Sequence, residues 1–165
     1  MKRRLLKLCL GLGTLSLLCW GITSQTKLGR CASESLEGVH YVLFLKSTSL
    51  KRGDIVLIPN HPVSYVGERP FAKRVIGLPG DRIIRDKEQL QIKSKNTASN
   101  ITLFTIFPLL DKTTEGKPLT PLSMPIVPEG YIFVGGDHLR SFDSRYKEFG
   151  LVPIEKIWGK SVFKW

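Results

Sequence analysis

At 165 residues the chain has room for one compact domain, alone or behind a membrane anchor. With 42% hydrophobic and 24% charged residues it does not have the composition of a disordered chain, and three Cys and three His, with no C-x-x-C pair, argue against a disulfide framework, a zinc site and a multi-His metal site. The 25 basic and 14 acidic residues leave a net charge of +11, and 15 Gly with 10 Pro favour turn-rich β structure over a helical bundle.

Residues 1–22, MKRRLLKLCLGLGTLSLLCWGI, place Lys2, Arg3 and Arg4 ahead of an apolar run interrupted only by Lys7. The uncharged part, Leu8–Ile22, is 15 residues long, short of the ~20 that cross a bilayer core. Lys7 can snorkel and Trp20 can sit at the far interface, so the pattern predicts a single transmembrane helix over 1–22. The basic end then stays cytoplasmic, and residues 23–165 form a domain on the periplasmic or extracytoplasmic side of the inner membrane. A cleavable secretory signal has the same n- and h-regions. However, the Thr23-Ser24-Gln25 that follows Ile22 is a poor cleavage site, which favours a retained anchor. Removing the four basic residues of 1–22 leaves +7, a charge suited to nucleic acid or to anionic lipid. With no basic helix and no aromatic-plus-glycine stacking motif, nucleic acid is not expected and membrane lipid is. Cys9 and Cys19 lie in the apolar run; Cys31 has no His partner signalled for a nucleophilic role.

Residues 23–34 are polar and expected to be extended. Gly38–Leu45, rich in β-branched and aromatic residues, reads as a buried strand. Lys51-Arg52-Gly53-Asp54 is a turn leading into a strand Ile55–Ile58 that Pro59 ends. Pro70–Ile76 is a third strand, closed by the turn Gly77-Leu78-Pro79-Gly80-Asp81. Arg82–Arg85 and Leu90–Lys93 flank the turn 86–89 as a hairpin. Residues 94–125 mix Ser, Thr, Asn and Pro with short apolar runs and read as an irregular variable insertion. Tyr131–Val134 is a strand ending in Gly135-Gly136-Asp137, and Ile157–Trp165 is the last strand. No helical period is sustained beyond the N-terminus, so the fold class is mainly β, antiparallel.

With no metal site and no clear catalytic His, the candidates for chemistry are Ser, Lys and Asp. A serine nucleophile needs a base, and lysine can serve only as the neutral amine, which requires burial to depress its pKa. Strand alternation puts Lys73 on one face with Phe71 and Val75, and Arg74 on the other with Ala72 and Ile76. The simpler reading makes both surface residues of an edge strand. His40 sits in an apolar strand and His61 in the turn Pro59-Asn60-His61-Pro62; neither is read as a ligand.

Two segments change the balance. FAKRVIGLPGD (71–81) resembles the lysine box of the type I signal peptidases, and GGDHLRSFDSRYKEFG (135–150) resembles their C-terminal box. RGDIV (52–56) and PEGYIFVGGD (128–137) are similar to the intervening strands of that family, in the same order. The short length and SFDSRY resemble the conjugative-transfer branch, the TraF-type peptidases that process pilin precursors.

The resemblance implies a signal-peptidase-like antiparallel β domain behind one transmembrane helix, and a serine endopeptidase with a Ser/Lys dyad. It implies Ser35, in Ser35-Leu36-Glu37-Gly38-Val39-His40-Tyr41, as nucleophile and Lys73 as general base. Ser33 matches the hydroxyl that assists the oxyanion hole, beside the backbone N–H of Ser35. Ser141 is implied to orient the lysine amine, and Asp143 to pair with Arg145 or, in the conjugative branch, to contribute to activity directly. His138 is read as structural. Substrates are implied to be exported precursor proteins or pilins, with conjugative or secretion machinery as further partners, and no cofactor or metal is implied. The Ser35 box departs from the family's S-M-P pattern, with Leu36 and Glu37 in place of Met and Pro and the Gly one place early. Ser123-Met124-Pro125 is literally that tripeptide, but it follows the lysine box, whereas the family's nucleophile precedes it. A non-catalytic precursor-binding or scaffold relative is the alternative that the irregular box motivates. A self-cleaving repressor uses a related Ser/Lys site, but the N-terminal apolar run argues against it, since no DNA-binding domain is expected there.

Overall fold

A computed structural model describes residues 2–31, 35–63, 65, 67, 69–94 and 104–165. Helix α1 spans Lys2–Gln25. It runs past Ile22 because Thr23 and Ser24 donate their hydroxyls to the Trp20 and Gly21 carbonyls of the preceding turn, at 3.1 and 2.8 Å. The polar segment expected to be extended from residue 23 is therefore helical at its start. Among the described residues no helix is long and apolar enough to cross a membrane.

Strand β1 (Thr26–Arg30) follows α1 directly. It pairs with β2 (Tyr41–Lys46) in a seven-stranded antiparallel sheet that also contains β3 (Ile55–Ile58), β4 (Phe71–Gly77), β8 (Tyr131–Gly135), β9 (Val152–Pro153) and β10 (Gly159–Lys164). The order is β1-β2-β10-β3-β4-β8-β9. The C-terminal strand thus lies between β2 and β3, and the Trp165 carbonyl accepts from the backbone N–H groups of His40 and Tyr41 at 2.8 and 2.9 Å. A second sheet is built from β5 (Arg82–Arg85), β6 (Gln89–Lys93) and β7 (Phe104–Pro108). Strand β7 lies within the stretch expected to be irregular. It is a five-residue edge strand ending in Pro, too short to announce itself by alternation, and it pairs with β6 from Gln89↔Pro108 to Lys93↔Phe104.

Strand alternation divides the core. In β4, Val75 packs with Val56, Ile132, Val134 and Val152, while Ile76 packs with Ile92, Leu90 and Phe107 of the second sheet. In β8, Phe133 joins the second group and its neighbours Ile132 and Val134 the first. Each such buried aliphatic or aromatic side chain contributes roughly 1.5–3 kcal/mol. Two of the family-like segments also meet in one ion pair. Arg52 of the RGD turn donates to Asp81 at 2.6 Å and also to the Ile76 carbonyl. Asp81 in turn accepts from the Leu78 N–H at 2.6 Å, closing a turn in which Gly80 has a φ of 86°. His61 is buried, with Nε2 2.6 Å from the Phe149 carbonyl, and burial pushes its imidazole pKa down.

Candidate active site

Among the described residues of the large sheet, Lys73 is the one cation buried outright, at 3% exposure. It lies opposite Val56 of β3 in the ladder, which puts its aliphatic stem among apolar strands. Its amine donates to Ser141 Oγ at 2.7 Å. Burial is the largest influence and lowers its pKa to about 8; the Asp143 carboxylate opposes this, and the Arg145 guanidinium reinforces it. A fraction of about one tenth is therefore the neutral amine at pH 7.

The loop after β8 reaches both faces of β4. Strand β8 ends with Gly135 paired to Arg74. Beyond it, Asp137 accepts two hydrogen bonds from the Arg74 guanidinium at 2.9 and 2.7 Å, and Ser141 returns to Lys73. This bidentate contact, first among the causes, holds the Asp137 carboxyl below its usual range. Asp137 also fixes the Ser35 segment: its N–H donates to the Ser35 carbonyl at 2.6 Å, and its carboxylate accepts from the Glu37 N–H at 3.3 Å. Gly136 sits where three chains converge. A Cβ there would lie 2.0 Å from Ser141 Oγ and 2.7 Å from the Ser35 carbonyl oxygen. Gly136→Ala is expected to displace Ser141 and the Ser35 carbonyl and to cost about 1–3 kcal/mol of stability by overpacking, measured by urea unfolding.

Asp143 and Arg145 close the base of the loop. Arg145 Nε is 2.8 Å from Asp143, and the two side chains are 1% and 0% exposed. Asp143 also accepts from the Gly136 N–H at 2.9 Å. Arg145 donates to the carbonyls of Ser141, Pro108 and Leu139 at 2.6, 3.0 and 3.1 Å. The pair is thus a buried framework that sets the curvature of the 136–145 loop, and it does not line the cleft described next.

Ser35 and Lys73 line one open cleft of about 490 Å³, together with Cys31, Leu36, Ala72 and Phe142. The structure therefore brings Ser35, Lys73 and Ser141 together, with Asp143 and Arg145 beneath them. Ser33 lies outside the described residues. Ser123 is exposed and does not line the cleft. His138 is exposed, with Nδ1 accepting from the Arg140 N–H at 3.1 Å, and His40 enters through its backbone alone.

Sequence reasoning missed three residues here. It had Arg74 pointing away from Lys73, which is the case, but gave it no task. The ladder register Arg74↔Gly135 was the signal that would have placed Asp137 beside it. Cys31, read as a buried small residue or a free thiol, is a half-buried free thiol whose place in the cleft wall the sequence did not signal, its pKa raised by burial.

Comparisons with known proteins agree on one family. The family described as "Signal peptidase, peptidase S26" matches residues 3–165. A signal peptidase I of Bacillus caldolyticus is 35% identical over 124 residues, covering 70% of this chain and 62% of that protein. Signal peptidase I T of Bacillus subtilis is 37% identical over 121 residues, covering 69% and 56%. Among solved structures, a signal peptidase I of Enterococcus faecalis is 28% identical, covering 68% of this chain and 96% of that one, with a TM-score of 0.39. The match spans about 60% of the length of the curated relatives.

Proposed function

The chain belongs to the signal peptidase family, peptidase S26, and on that premise we propose that it is a membrane-bound Ser/Lys endopeptidase that removes leader or signal peptides from exported precursors. The observation that carries the reading is the Lys73 amine: buried, depressed to about 8, hydrogen-bonded to Ser141, and in the wall of the cleft that also holds Ser35. A lysine so placed costs stability, and it supplies an amine of which about one tenth is neutral at pH 7.

Ser35 Oγ attacks the scissile carbonyl while its proton passes to Lys73 Nζ. The oxyanion that forms is held by the Ser35 backbone N–H with help from the Ser33 hydroxyl; one such donor is typically worth about 3 kcal/mol. Lys73 then returns the proton to the departing amine, leaving an acyl-enzyme. Water, deprotonated by Lys73, resolves that ester. Ser141 holds the amine on line throughout, and Asp137 holds the Ser35 turn.

Membrane attachment rests on α1 with its basic N-terminal end and on an exposed aromatic patch at the ends of β2 and β10. On β2 and β10, Tyr41 stacks on Trp165 at 5.6 Å and Phe163 contacts Trp165 at 5.3 Å. Val162, Phe163 and Trp165 are about half exposed or more, at 53%, 61% and 49%. Such an aromatic patch, with Lys46 and Lys164 on the same two strands, suits the interface of an anionic bilayer. The domain would then stand on the extracytoplasmic side of the inner membrane, where precursors emerge. The narrower reading rests on SFDSRY (141–146): a conjugative pilin cut near its carboxyl end stays on Ser35 as the acyl-enzyme, and its own amino terminus attacks that ester, displacing Ser35 Oγ, to close a ring.

The test is the intact mass of an exported precursor co-expressed with the protein or with Ser35→Ala. Loss of the leader with the wild type alone is the expected result, and loss of a carboxyl-terminal segment to give a product one water lighter than the hydrolysed one would mark cyclisation. Undiminished processing by Ser35→Ala would overturn the role of Ser35.

A further inference from the structure

A second cavity opens beside the catalytic cleft; Ser141 is in its wall, but no step of the proposed chemistry takes place in it. It has a volume of about 250 Å³ and shares Arg69, Arg140 and Phe142 with the cleft, so a chain lying in one can place a side chain in the other. It is smaller than the ~300–1,000 Å³ of a typical small-molecule pocket, a size that suits a side chain of a bound polypeptide.

Its walls are cationic. Arg69, Lys112, Lys117 and Arg140 line it against a single carboxylate, Glu115. Glu115 is 3.2 Å from the Lys117 amine. No ion pair joins Arg69, Lys112 or Arg140 to an acidic residue among the described residues. The two lysines are held in place by a tight hairpin. Lys112 bridges Pro118, the Thr113 N–H donates to the Lys117 carbonyl at 2.9 Å, and Gly116 turns the chain at a φ of 79°. The Lys117 amine also lies 5.4 Å over the Tyr65 ring and 3.4 Å from the Tyr65 carbonyl. At the back, Tyr146 accepts from the Leu110 N–H, and burial keeps its phenol protonated. Four cations converging on a small, pre-shaped recess select a carboxylate.

We propose that this recess is a specificity subsite that takes an aspartate or glutamate side chain of the precursor, a few residues from the scissile bond. The proposal rests on the peptidase reading, and it adds what that reading lacks, a charge preference in the substrate. The hairpin that carries it, 112–118, belongs to the stretch the sequence presented as an irregular insertion.

The test uses the full chain in detergent micelles and precursor peptides with small residues before the cut. Glu, Gln or Lys is placed one position at a time, from the second to the sixth residue on either side of the cut. At one position or two adjacent ones, Glu is expected to exceed Lys in kcat/KM by about tenfold, with Gln between them. That ratio falls toward unity at about 1 M salt, where the screening length is about 3 Å. In the double variant Lys112→Glu, Lys117→Glu the order reverses in favour of Lys. Because each ratio is read within one enzyme, a general loss of activity in the variant cancels. No position discriminating by more than about twofold, or a Glu preference unchanged in the double variant, would overturn the subsite and leave the peptidase standing. Failure of the wild type to cleave any peptide, the Gln series included, would instead strike the peptidase reading and the subsite with it.

Discussion

Lys73→Met is expected to abolish precursor cleavage, by a thousandfold or more on the usual scale of ~10²–10⁴ for a positioned general base, and at the same time to make the protein more stable. The second half follows from burial. The folded-state pKa of Lys73 lies near 8, below its ordinary 10.5. Below pH 8 the folded state must therefore hold a charge that the unfolded chain would hold in water. The penalty is largest below pH 8, shrinks as pH rises from 8 to 10.5, and is gone above that window. Its upper bound near pH 7 is about 3 kcal/mol. Methionine removes it but strands the Ser141 hydroxyl, so a net gain of about 1–2 kcal/mol in urea unfolding is the expected result. For the wild type, kcat/KM should climb about tenfold per pH unit below 8 and level off above it. A Lys73→Met variant that still cleaves, or a wild-type profile flat between pH 6 and 8, would remove Lys73 from the role of base.

Arg145→Met should act in the opposite sense on stability. Asp143 and Arg145 are both sealed from solvent at 2.8 Å, and removing one partner leaves a buried carboxylate uncompensated, at a cost of about 3–5 kcal/mol. Arg145 also donates to the carbonyls of Ser141, Leu139 and Pro108, which lose their partner together. The midpoint of thermal unfolding should fall by about 10 °C or more. Asp143→Asn in the same chain removes the stranded charge and should recover a substantial part of the loss, a coupling that a double-mutant cycle reads directly. A drop of under about 1 kcal/mol for Arg145→Met would place the pair with ordinary surface ion pairs.

Much of the fold was legible one strand at a time. Ile55–Ile58 and Arg82–Arg85 fall where alternation and turn residues put them, and Phe71–Gly77 and Tyr131–Gly135 are shifted or extended by a single residue. Strand β2 begins at Tyr41 and not at Gly38, because residues 35–40 are used to carry Ser35 around a turn. Strands β7 and β9 could not be seen: one is five residues ending in Pro, the other is two residues long, and both exist because a neighbour offers them a ladder. The N-terminal segment was expected as a transmembrane helix over 1–22; a helix is present over Lys2–Gln25, but among the described residues none is long and apolar enough to cross a membrane, and its polar end is held by hydroxyl back-bonds that no hydropathy pattern reveals.

The sequence by itself determined which chemistry was available: a β-rich chain with few His and Cys, a lysine flanked by apolar residues at strand spacing, and family-like segments in a fixed order. These are local properties, set by side-chain type and by a backbone period of two. Only the tertiary structure decided which serine shares a cleft with Lys73 and how deeply that amine is buried. It also decided that Arg74 and Asp137 hold the Ser35 turn and that Arg69, Lys112, Lys117 and Arg140 converge on one recess. Ser35 and Lys73 are 38 positions apart, Arg74 and Asp137 63, and Arg69 and Arg140 71. Their proximity is set by strand order and by loops that return across the sheet, and the energy of such contacts depends on desolvation, which a linear pattern does not encode.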